Sequence, residues 1–170
     1  MLLFSGGICI ILIFKRWLIS MIKGNQDHTM SRADQLQKLW SSEEGRLALF
    51  KYCEAEFSVE NSKAYDDLCK FKDIKDREEK VNLAKHIYST YIHDKNSLLL
   101  VNASQECKAS TTEKMQKLST ERDSVLDTLF DQLEVEVRSN LQDTFSRFLH
   151  SEAYAKYRRK RSSFAMDKNV

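Results

Sequence analysis

The 170-residue chain contains no proline and only four glycines, three of which (Gly6, Gly7 and Gly24) lie near its start. Proline and glycine are the residues that most often end helices and form tight turns, so their scarcity favours helix over turn-rich sheet. Charged residues make up 31% of the chain, and many of them separate apolar positions in mixtures of lysine and glutamate. The composition therefore predicts an all-α protein.

Cysteine pairs of the kind that bind zinc are also missing. The four cysteines, Cys9, Cys53, Cys69 and Cys107, form no CxxC pair and have no histidine at ligand spacing. A structural metal site is therefore not predicted. Cys53 and Cys69 fall among apolar positions of helical spacing, which is typical of core thiols in a reducing compartment. We expect neither a metal nor another cofactor.

Charge is unevenly distributed along the chain, although the net charge is only +2. Residues 1–23 carry three basic side chains and no acidic one, and residues 151–170 carry a net charge of +4, which leaves −5 for residues 24–150. An acidic body binds nucleic acid poorly, because phosphate contacts need a basic surface. The two basic ends instead indicate that the partner is an anionic membrane surface, or they only keep the protein soluble.

The segment 1–23 is expected to associate with a membrane. Its uninterrupted apolar run, Leu2–Phe14, has 13 residues. A membrane-spanning helix needs roughly 20. The segment also lacks the basic start and the cleavage site of a secretory signal. The length and the flanking charges therefore leave its geometry open.

Three alternatives remain for this segment. It is a short signal-anchor, with Lys15 and Arg16 on the cytoplasmic side, or an interfacial segment with Trp17 at the headgroup level and Cys9 available for acylation. The third alternative is an unstructured hydrophobic start, with a later methionine as the initiator.

The remaining chain is divided into a polar linker (24–31), a helical domain (32–157) and a basic tail (158–170). Apolar positions in the domain recur at spacings of three and four, which predicts a compact bundle of about nine short-to-medium helices. No heptad run or repeat argues for a coiled coil or a solenoid. The tail sequence "YRRKRSS" is interpreted as a lipid-binding segment, a nuclear signal or a solvated end.

Two local features of the helical pattern are less regular. "LLLVN" (98–102) is predicted to be a buried connecting loop or a lone extended stretch, and Ser110, Thr111 and Thr112 are predicted to cap or interrupt a helix. A long helix is predicted from Thr120 through Leu141, followed by a new short turn.

Three polar clusters interrupt the apolar pattern of the domain. Residue types of this kind prefer helix N-caps, so capping explains Ser58, Asp143 and, less directly, Asn102. Capping gives no role to Glu60, Asn61 and Arg147, which leaves partner binding as the alternative. The clusters comprise Ser58, Glu60 and Asn61; then Asn102; then Asp143, Thr144 and Arg147.

At these clusters the chain resembles regulator of G-protein signalling (RGS) domains. The resemblance covers about Leu39 to Tyr157, and its pieces follow the order of the family's motifs. They are "EFSVEN" at 56–61, "CKFK" at 69–72, "AKHIY" at 84–88, "LVN" at 100–102, "FD" at 130–131 and "DTFSRFLHSEAY" at 143–154.

The resemblance implies a nine-helix fold that binds the switch loops of a heterotrimeric G-protein α subunit and accelerates its GTP hydrolysis. Such a domain contributes no catalytic group; it stabilises the switch loops in their transition-state arrangement. The chain is therefore expected not to be an enzyme itself. We expect a monomer at the cytoplasmic face of a membrane or in the cytoplasm.

The implied contact residues are those of the three clusters. Arg147 would fix the carboxylate of Asp143, and Asn102 would reach toward the glutamine that orients the attacking water. The residues that resemble the first contact loop are Ser58, Glu60 and Asn61, and those that resemble the group holding the first switch segment are Asp143, Thr144 and Arg147.

The sequence departs from the family pattern in several places. Ala64 and Tyr65 stand where the family usually has Phe and Trp, and Val59 replaces a common Glu. The segment before Asp143 is about one residue short, so the hydrophobic contact expected there is not placed, and Ser139, Asn140 and Leu141 are all candidates for it. These departures keep a docking module that binds without accelerating hydrolysis as an alternative. An intrinsic enzyme is a third alternative, disfavoured because the scattered histidines accompany no nucleophile motif.

Overall fold

The computed structural model describes residues 30–93, 97–118 and 124–167. Every regular element in these ranges is helical, which confirms the all-α prediction. The chain divides into two units, residues 1–39 and 40–170. In the first unit the described residues form the start of helix α1, where the amide of Asp34 donates to the hydroxyl of Ser31 over 3.1 Å.

The described residues contain eight α-helices, which differs slightly from the nine predicted. A π-helical turn, Ser89–His93, continues α4 directly. The α-helices are α1 (Arg32–Trp40), α2 (Glu43–Ala55), α3 (Val59–Asp73), α4 (Arg77–Tyr88), α5 (Gln105–Lys117), α6 (Ser124–Asp127), α7 (Asp131–Leu149) and α8 (Glu152–Asp167).

None of the helices in the described ranges is long and apolar enough to cross a membrane. The expected membrane-associating segment (1–23), its acylation candidate Cys9 and most of the linker (24–31) lie outside those ranges. Their membrane role stays a prediction.

Helix α7 lies at the centre of the second unit, where it packs against α2, α3, α5 and α8. Its buried side chains recur every three or four residues and form one continuous apolar face. The ring of Phe71 on α3 meets that of Phe130, just before α7, at 5.1 Å between centroids. The buried side chains of α7 include Leu133, Val137, Leu141, Phe145 and Phe148.

Two predictions about the α7 region were wrong. The helix predicted from Thr120 is divided by a turn at residues 128–130, which separates α6 from α7. Conversely, Asp143 and Thr144 do not open a new turn, because α7 continues through them to Leu149. The apolar face continues past these residues, and its burial outweighs the preference of Asp and Thr for caps.

The predictions around α5 also need correction. Ser104 caps α5 by accepting a bond from the amide of Cys107 over 3.1 Å, whereas Ser110, Thr111 and Thr112 lie inside the helix. Within the "LLLVN" stretch Leu98 is 97% exposed and Val101 is 2% exposed. Leu98 and Leu99 form a turn, and Val101 is the one buried residue of the stretch, so it is neither a buried loop nor an extended stretch.

The cysteines and histidines of the described residues largely follow the sequence predictions. Cys53 is buried, and Cys69 is half-buried, as free thiols. Burial raises the pKa of both thiols above its usual range, which keeps them protonated near neutral pH. His86 and His93 are exposed on α4 and its π-helical continuation. The basic tail predicted from residue 158 continues α8 to Asp167.

Candidate functional site

One face of α7 carries three polar side chains, Asn140, Thr144 and Arg147, which we call the polar stripe. Residues separated by four and three positions lie on the same helix face, and the stripe spans about 10 Å at 1.5 Å per residue. Each member contacts a different part of the chain. The stripe therefore determines which loops meet along this side of the protein.

The contacts of the polar stripe bring the three polar clusters together. Asn140 Nδ2 donates to the backbone oxygen of Asn102 at 2.9 Å. Thr144 Oγ1 donates to Ser58 Oγ at 3.4 Å. Clusters separated by more than 80 residues in sequence thus border one surface, as partner binding requires.

The corner between α2 and α3 precedes the first cluster. Helix α2 ends in a Schellman motif, in which the amide of Ser58 donates to the oxygen of Cys53 at 2.9 Å and that of Phe57 to Glu54 at 3.3 Å. This motif turns the chain sharply from α2 into α3. It places residues 58–61 at the start of α3, beside the polar stripe.

Phe57 occupies the position in this motif where glycine is usual. Its φ is 54°, in the left-handed region, and it is the one non-glycine residue of the described chain with positive φ. A left-handed conformation costs a residue with a Cβ roughly 1–2 kcal/mol. The ring is nevertheless 94% exposed and gains little from packing. A residue held in a strained backbone conformation is a candidate for a functional role, and the exposed ring makes partner contact the role to test.

Ser58 stands at the N-cap position of α3 but does not cap the helix, contrary to the sequence prediction. Its ψ of 26° departs from the extended backbone of most N-caps, and its side chain makes no bond to the amides of α3. The left-handed residue before it sets this backbone geometry. The hydroxyl instead accepts the bond from Thr144 and joins α3 to α7.

Glu60 and Asn61 form a pair within the first turn of α3. Asn61 Nδ2 donates to Glu60 Oε1 at 2.7 Å. Asn61 is 7% exposed, and its Oδ1 is buried without a hydrogen-bond partner among the described residues. A buried acceptor without a donor is uncommon and is often found at functional sites.

Asn102 lies on a backbone that is fixed on both sides. The amide of Val101 donates to the oxygen of Tyr91 at 3.0 Å, and that of Ala103 to the oxygen of Val101 at 3.0 Å, which makes a three-residue turn around Asn102. The side chain of Asn102 is exposed and has no partner in the described part of the chain.

Two further groups hold this turn against the helices. Glu136 on α7 accepts bonds from the amide and the hydroxyl of Ser104, both at 2.6 Å. Partial burial of Glu136 acts to raise the pKa of its carboxyl, but these hydrogen bonds outweigh it and the pKa is lowered. The exposed amide of Asn102 is thus presented from a rigid support.

The resemblance implied that Arg147 fixes the carboxylate of Asp143, but the structure shows no such contact. Arg147 Nε pairs with Glu56 Oε2 at 3.0 Å, and its other nitrogens donate to the backbone oxygen of Asp143 at 3.4 Å and to Thr144 Oγ1 at 3.3 Å. The guanidinium of Arg147 thus pairs with the carboxylate of Glu56, at the end of α2, and not with that of Asp143. The carboxylate of Asp143 is exposed and has no partner among the described residues.

Ordinary capping does not explain these polar clusters. Asp143 and Thr144 lie inside α7, and α5 is capped by Ser104 rather than by Asn102. The side chain of Ser58 accepts no capping hydrogen bond from α3. The side chains of Asn102 and Asp143 therefore have no structural task in the described chain. An exposed surface with unpaired hydrogen-bonding groups and one exposed aromatic ring is suited to bind another protein.

Comparison with protein families agrees with this geometry. The model of the regulator of G protein signaling domain matches residues 35–157, which is most of the chain. The protein belongs to the RGS domain family. Comparison with curated proteins gave no match. Members of this family regulate the GTPase activity of a partner and generally bind G-protein α subunits.

Two residues of the site in this RGS domain, Glu56 and Phe57, were missed by sequence reasoning. Asn140 was considered only as one candidate for the hydrophobic contact before Asp143. Phe57 gave no signal of exposure, because an apolar residue directly before a helix start often packs against the first turns of that helix. Glu56 and the polar role of Asn140 gave none either, because their partners, Arg147 and Asn102, are distant in sequence.

Proposed function

We propose that this RGS domain is a GTPase-activating protein for heterotrimeric G-protein α subunits and thereby attenuates G-protein signalling. The observation that carries the proposal is the polar stripe of α7, which contacts both Asn102 and Ser58. Beside it, Asn102 and Asp143 present side chains without partners among the described residues. The resulting surface matches the switch-loop contacts that the family resemblance implies for these positions.

The mechanism we propose is stabilisation of the partner's switch loops rather than direct catalysis. The amide of Asn102 would contact the glutamine that orients the attacking water, and the carboxylate of Asp143 would accept hydrogen bonds from the first switch segment. Arg147 is held by Glu56 and supports the surface, so it does not act as an arginine finger. Interactions made mainly in the transition state raise the rate of hydrolysis.

Rigid support is what makes such a mechanism effective. The loop of Asn102 is fixed by bonds to Tyr91 and Asn140, and the start of α3 is fixed by the bond between Ser58 and Thr144. Groups that are already positioned lose little conformational entropy when the partner binds. Binding energy then serves to hold the mobile switch loops.

Single-turnover hydrolysis by a GTP-loaded α subunit, with the RGS domain in excess, tests this proposal. Acceleration that rises with the concentration of the domain is expected. Binding without any acceleration, measured with the same proteins, would instead support the alternative function, a docking module. The absence of both binding and acceleration with α subunits of every class would contradict the proposal.

We predict that Phe57→Gly stabilises the protein and weakens partner binding. Glycine relieves the left-handed strain at φ 54°, so the free energy of unfolding should rise by about 1 kcal/mol, net of the larger entropy of the unfolded chain. Loss of the exposed ring should weaken α-subunit binding about 10-fold. Urea denaturation and titration calorimetry measure the two effects.

The control for this change is Phe57→Tyr, which keeps both the ring and the strain. It should match the wild type in stability and affinity. A Phe57→Gly protein that is less stable than wild type, or that binds equally well, would contradict the role given to this residue.

We also propose that the RGS domain acts as a monomer at the cytoplasmic face of a membrane, with α8 touching anionic lipid. The side chains of Arg158, Arg159 and Arg161 are exposed, and no acidic partner is found for them among the described residues. Each basic residue near an anionic surface contributes about 1 kcal/mol to binding. The apolar segment 1–23 would supply the second attachment.

Vesicle sedimentation tests the contribution of α8. Arg159→Gln should lower the partition onto vesicles containing phosphatidylserine about fivefold and leave the partition onto neutral phosphatidylcholine vesicles unchanged. A matched exposed arginine on α4, Arg77→Gln, should have a smaller effect. Equal partition of the wild type onto both kinds of vesicle would contradict a contact through basic residues.

A further inference from the structure

The second half of α8 carries four consecutive basic residues followed by an exposed serine, Ser162. In sequence, Arg158, Arg159, Lys160 and Arg161 occupy the four positions before it. Protein kinases with acidic substrate grooves select a serine by arginines at these preceding positions, because the charges are complementary. The charge pattern around Ser162 fits such a groove.

We propose that Ser162 is a phosphorylation site for an arginine-directed protein kinase, and that the phosphate weakens the contact of α8 with anionic membrane. The second part rests on the membrane contact proposed above, whereas the assignment of the site does not. The co-substrate is ATP with Mg²⁺.

The transfer step balances without any further reactant. Ser162 Oγ attacks the γ-phosphorus of ATP, the new O–P bond forms, and the bond between that phosphorus and the bridging oxygen breaks to release ADP. The hydroxyl proton passes to a carboxylate base of the kinase and then to solvent.

Access to Ser162 requires local unfolding of the helix, and the contacts of this segment indicate that the free energy of this unfolding is small. Its hydroxyl donates to the backbone oxygen of Arg158 at 3.0 Å, which is its one hydrogen bond to the described chain. The side chains of residues 158–162 are all exposed, and Arg158 lies over the ring of Tyr154 on the same helix at 5.9 Å. Exposed helix ends are among the least stable parts of a protein and open locally.

Two other serines of the second unit differ in this respect, whereas Ser163 follows the same basic run and is distinguished from Ser162 by the experiment below. Ser151 is half-buried at the start of α8, where its hydroxyl donates to the oxygen of Phe148 at 2.7 Å and accepts from the amide of Tyr154 at 3.2 Å. Ser62 is fully buried and donates to Val59 at 2.9 Å. Neither follows a run of arginines. Exposure and charge pattern coincide at Ser162.

A phosphate at Ser162 would act directly on the basic surface. It carries a charge of about −1.5 to −2 at neutral pH. Arg158 and Arg159 lie one turn before Ser162 on the same helix, within reach of the phosphate oxygens. Ion pairs with these guanidinium groups would withdraw about two positive charges from the membrane contact.

The site is tested on the full chain with the catalytic subunit of cyclic-AMP-dependent protein kinase, Mg²⁺ and ATP. Intact-mass spectrometry should show one added phosphoryl group, absent in Ser162→Ala and retained in Ser163→Ala. Phosphate that persists in Ser162→Ala, or no phosphate on the folded wild type, would overturn the assignment.

The regulatory part is tested by sedimentation of the phosphorylated and unmodified chains with phosphatidylserine-containing and neutral vesicles. Phosphorylation should lower the anionic-to-neutral partition ratio about 10- to 30-fold. Ratios that agree within about twofold would overturn the regulatory proposal. If the unmodified chain shows no preference for anionic vesicles, the membrane contact fails, and the mass result still decides the modification site.

Discussion

Replacing Asn102 by alanine should lower the acceleration of GTP hydrolysis by about 100-fold, the lower end of what removing one donor aimed at a transition state costs. The side chain of Asn102 has no partner in the described chain, so the free energy of unfolding should change by less than about 0.5 kcal/mol. Its backbone oxygen would still accept the bond from Asn140, which preserves the position of the turn.

The measurement is single-turnover hydrolysis at saturating concentrations of the RGS domain, together with urea denaturation of each variant. The matched control is Asn82→Ala, which removes another exposed asparagine side chain from α4. The control should accelerate hydrolysis as the wild type does. An Asn102→Ala protein with wild-type acceleration would show that this side chain does not act on the partner's reaction.

Replacing Phe148 by alanine should destabilise the protein by about 3–5 kcal/mol, the usual loss for a buried phenylalanine. Phe148 on α7 is fully buried and contacts the rings of Tyr52 on α2 and Tyr154 on α8, both at 5.3 Å between centroids. Removing it would leave a cavity where three helices meet. Because small domains are stable by only about 5–15 kcal/mol, this loss should be visible as a large fall in thermal midpoint.

Circular dichroism during thermal and urea unfolding measures the effect of this change. The control, Val135→Ala, lies on the same helix but removes a side chain that is 57% exposed, and it should change stability by less than about 1 kcal/mol. Equal effects of the two substitutions would contradict the central position assigned to Phe148. A Phe148→Ala protein that keeps the stability of the wild type but no longer binds the α subunit would also contradict that position.

The sequence was sufficient to predict the fold class, whereas the positions it assigned to partner binding stay predictions. Helical periodicity predicts which residues of α7 are buried, because residues at spacings of three and four share one helix face. Phe145 and Phe148 follow this rule. The polar clusters were recognised because hydrogen-bonding residues there interrupted an apolar pattern without a clear structural role.

The local geometry of the site could not be predicted in the same way. Asp143 and Thr144 look like a helix start, yet the buried face of α7 continues through them, and tertiary packing decides the outcome. Arg147 was assigned to Asp143, its neighbour one turn earlier, but it pairs with Glu56 from another helix. The spacing of residues within one helix gives no information about partners, such as Glu56, that lie on another helix.

Phe57 illustrates a third kind of limit. A left-handed backbone is expected at glycine or asparagine, so a phenylalanine gives no signal for it. The conformation follows from the Schellman motif that ends α2, in which two amides bond back to the helix. Local rules therefore fail at this corner, as they often do where a surface is shaped for binding.

Capture of α subunits in different nucleotide states tests the central claim most directly. The immobilised RGS domain would be offered α subunits loaded with GDP, with GDP and aluminium fluoride, or with a non-hydrolysable GTP analogue. Strongest retention of the aluminium fluoride form, reduced by Asn102→Ala, is predicted, because that form resembles the transition state. Equal retention of all three forms, unaffected by Asn102→Ala, would contradict it.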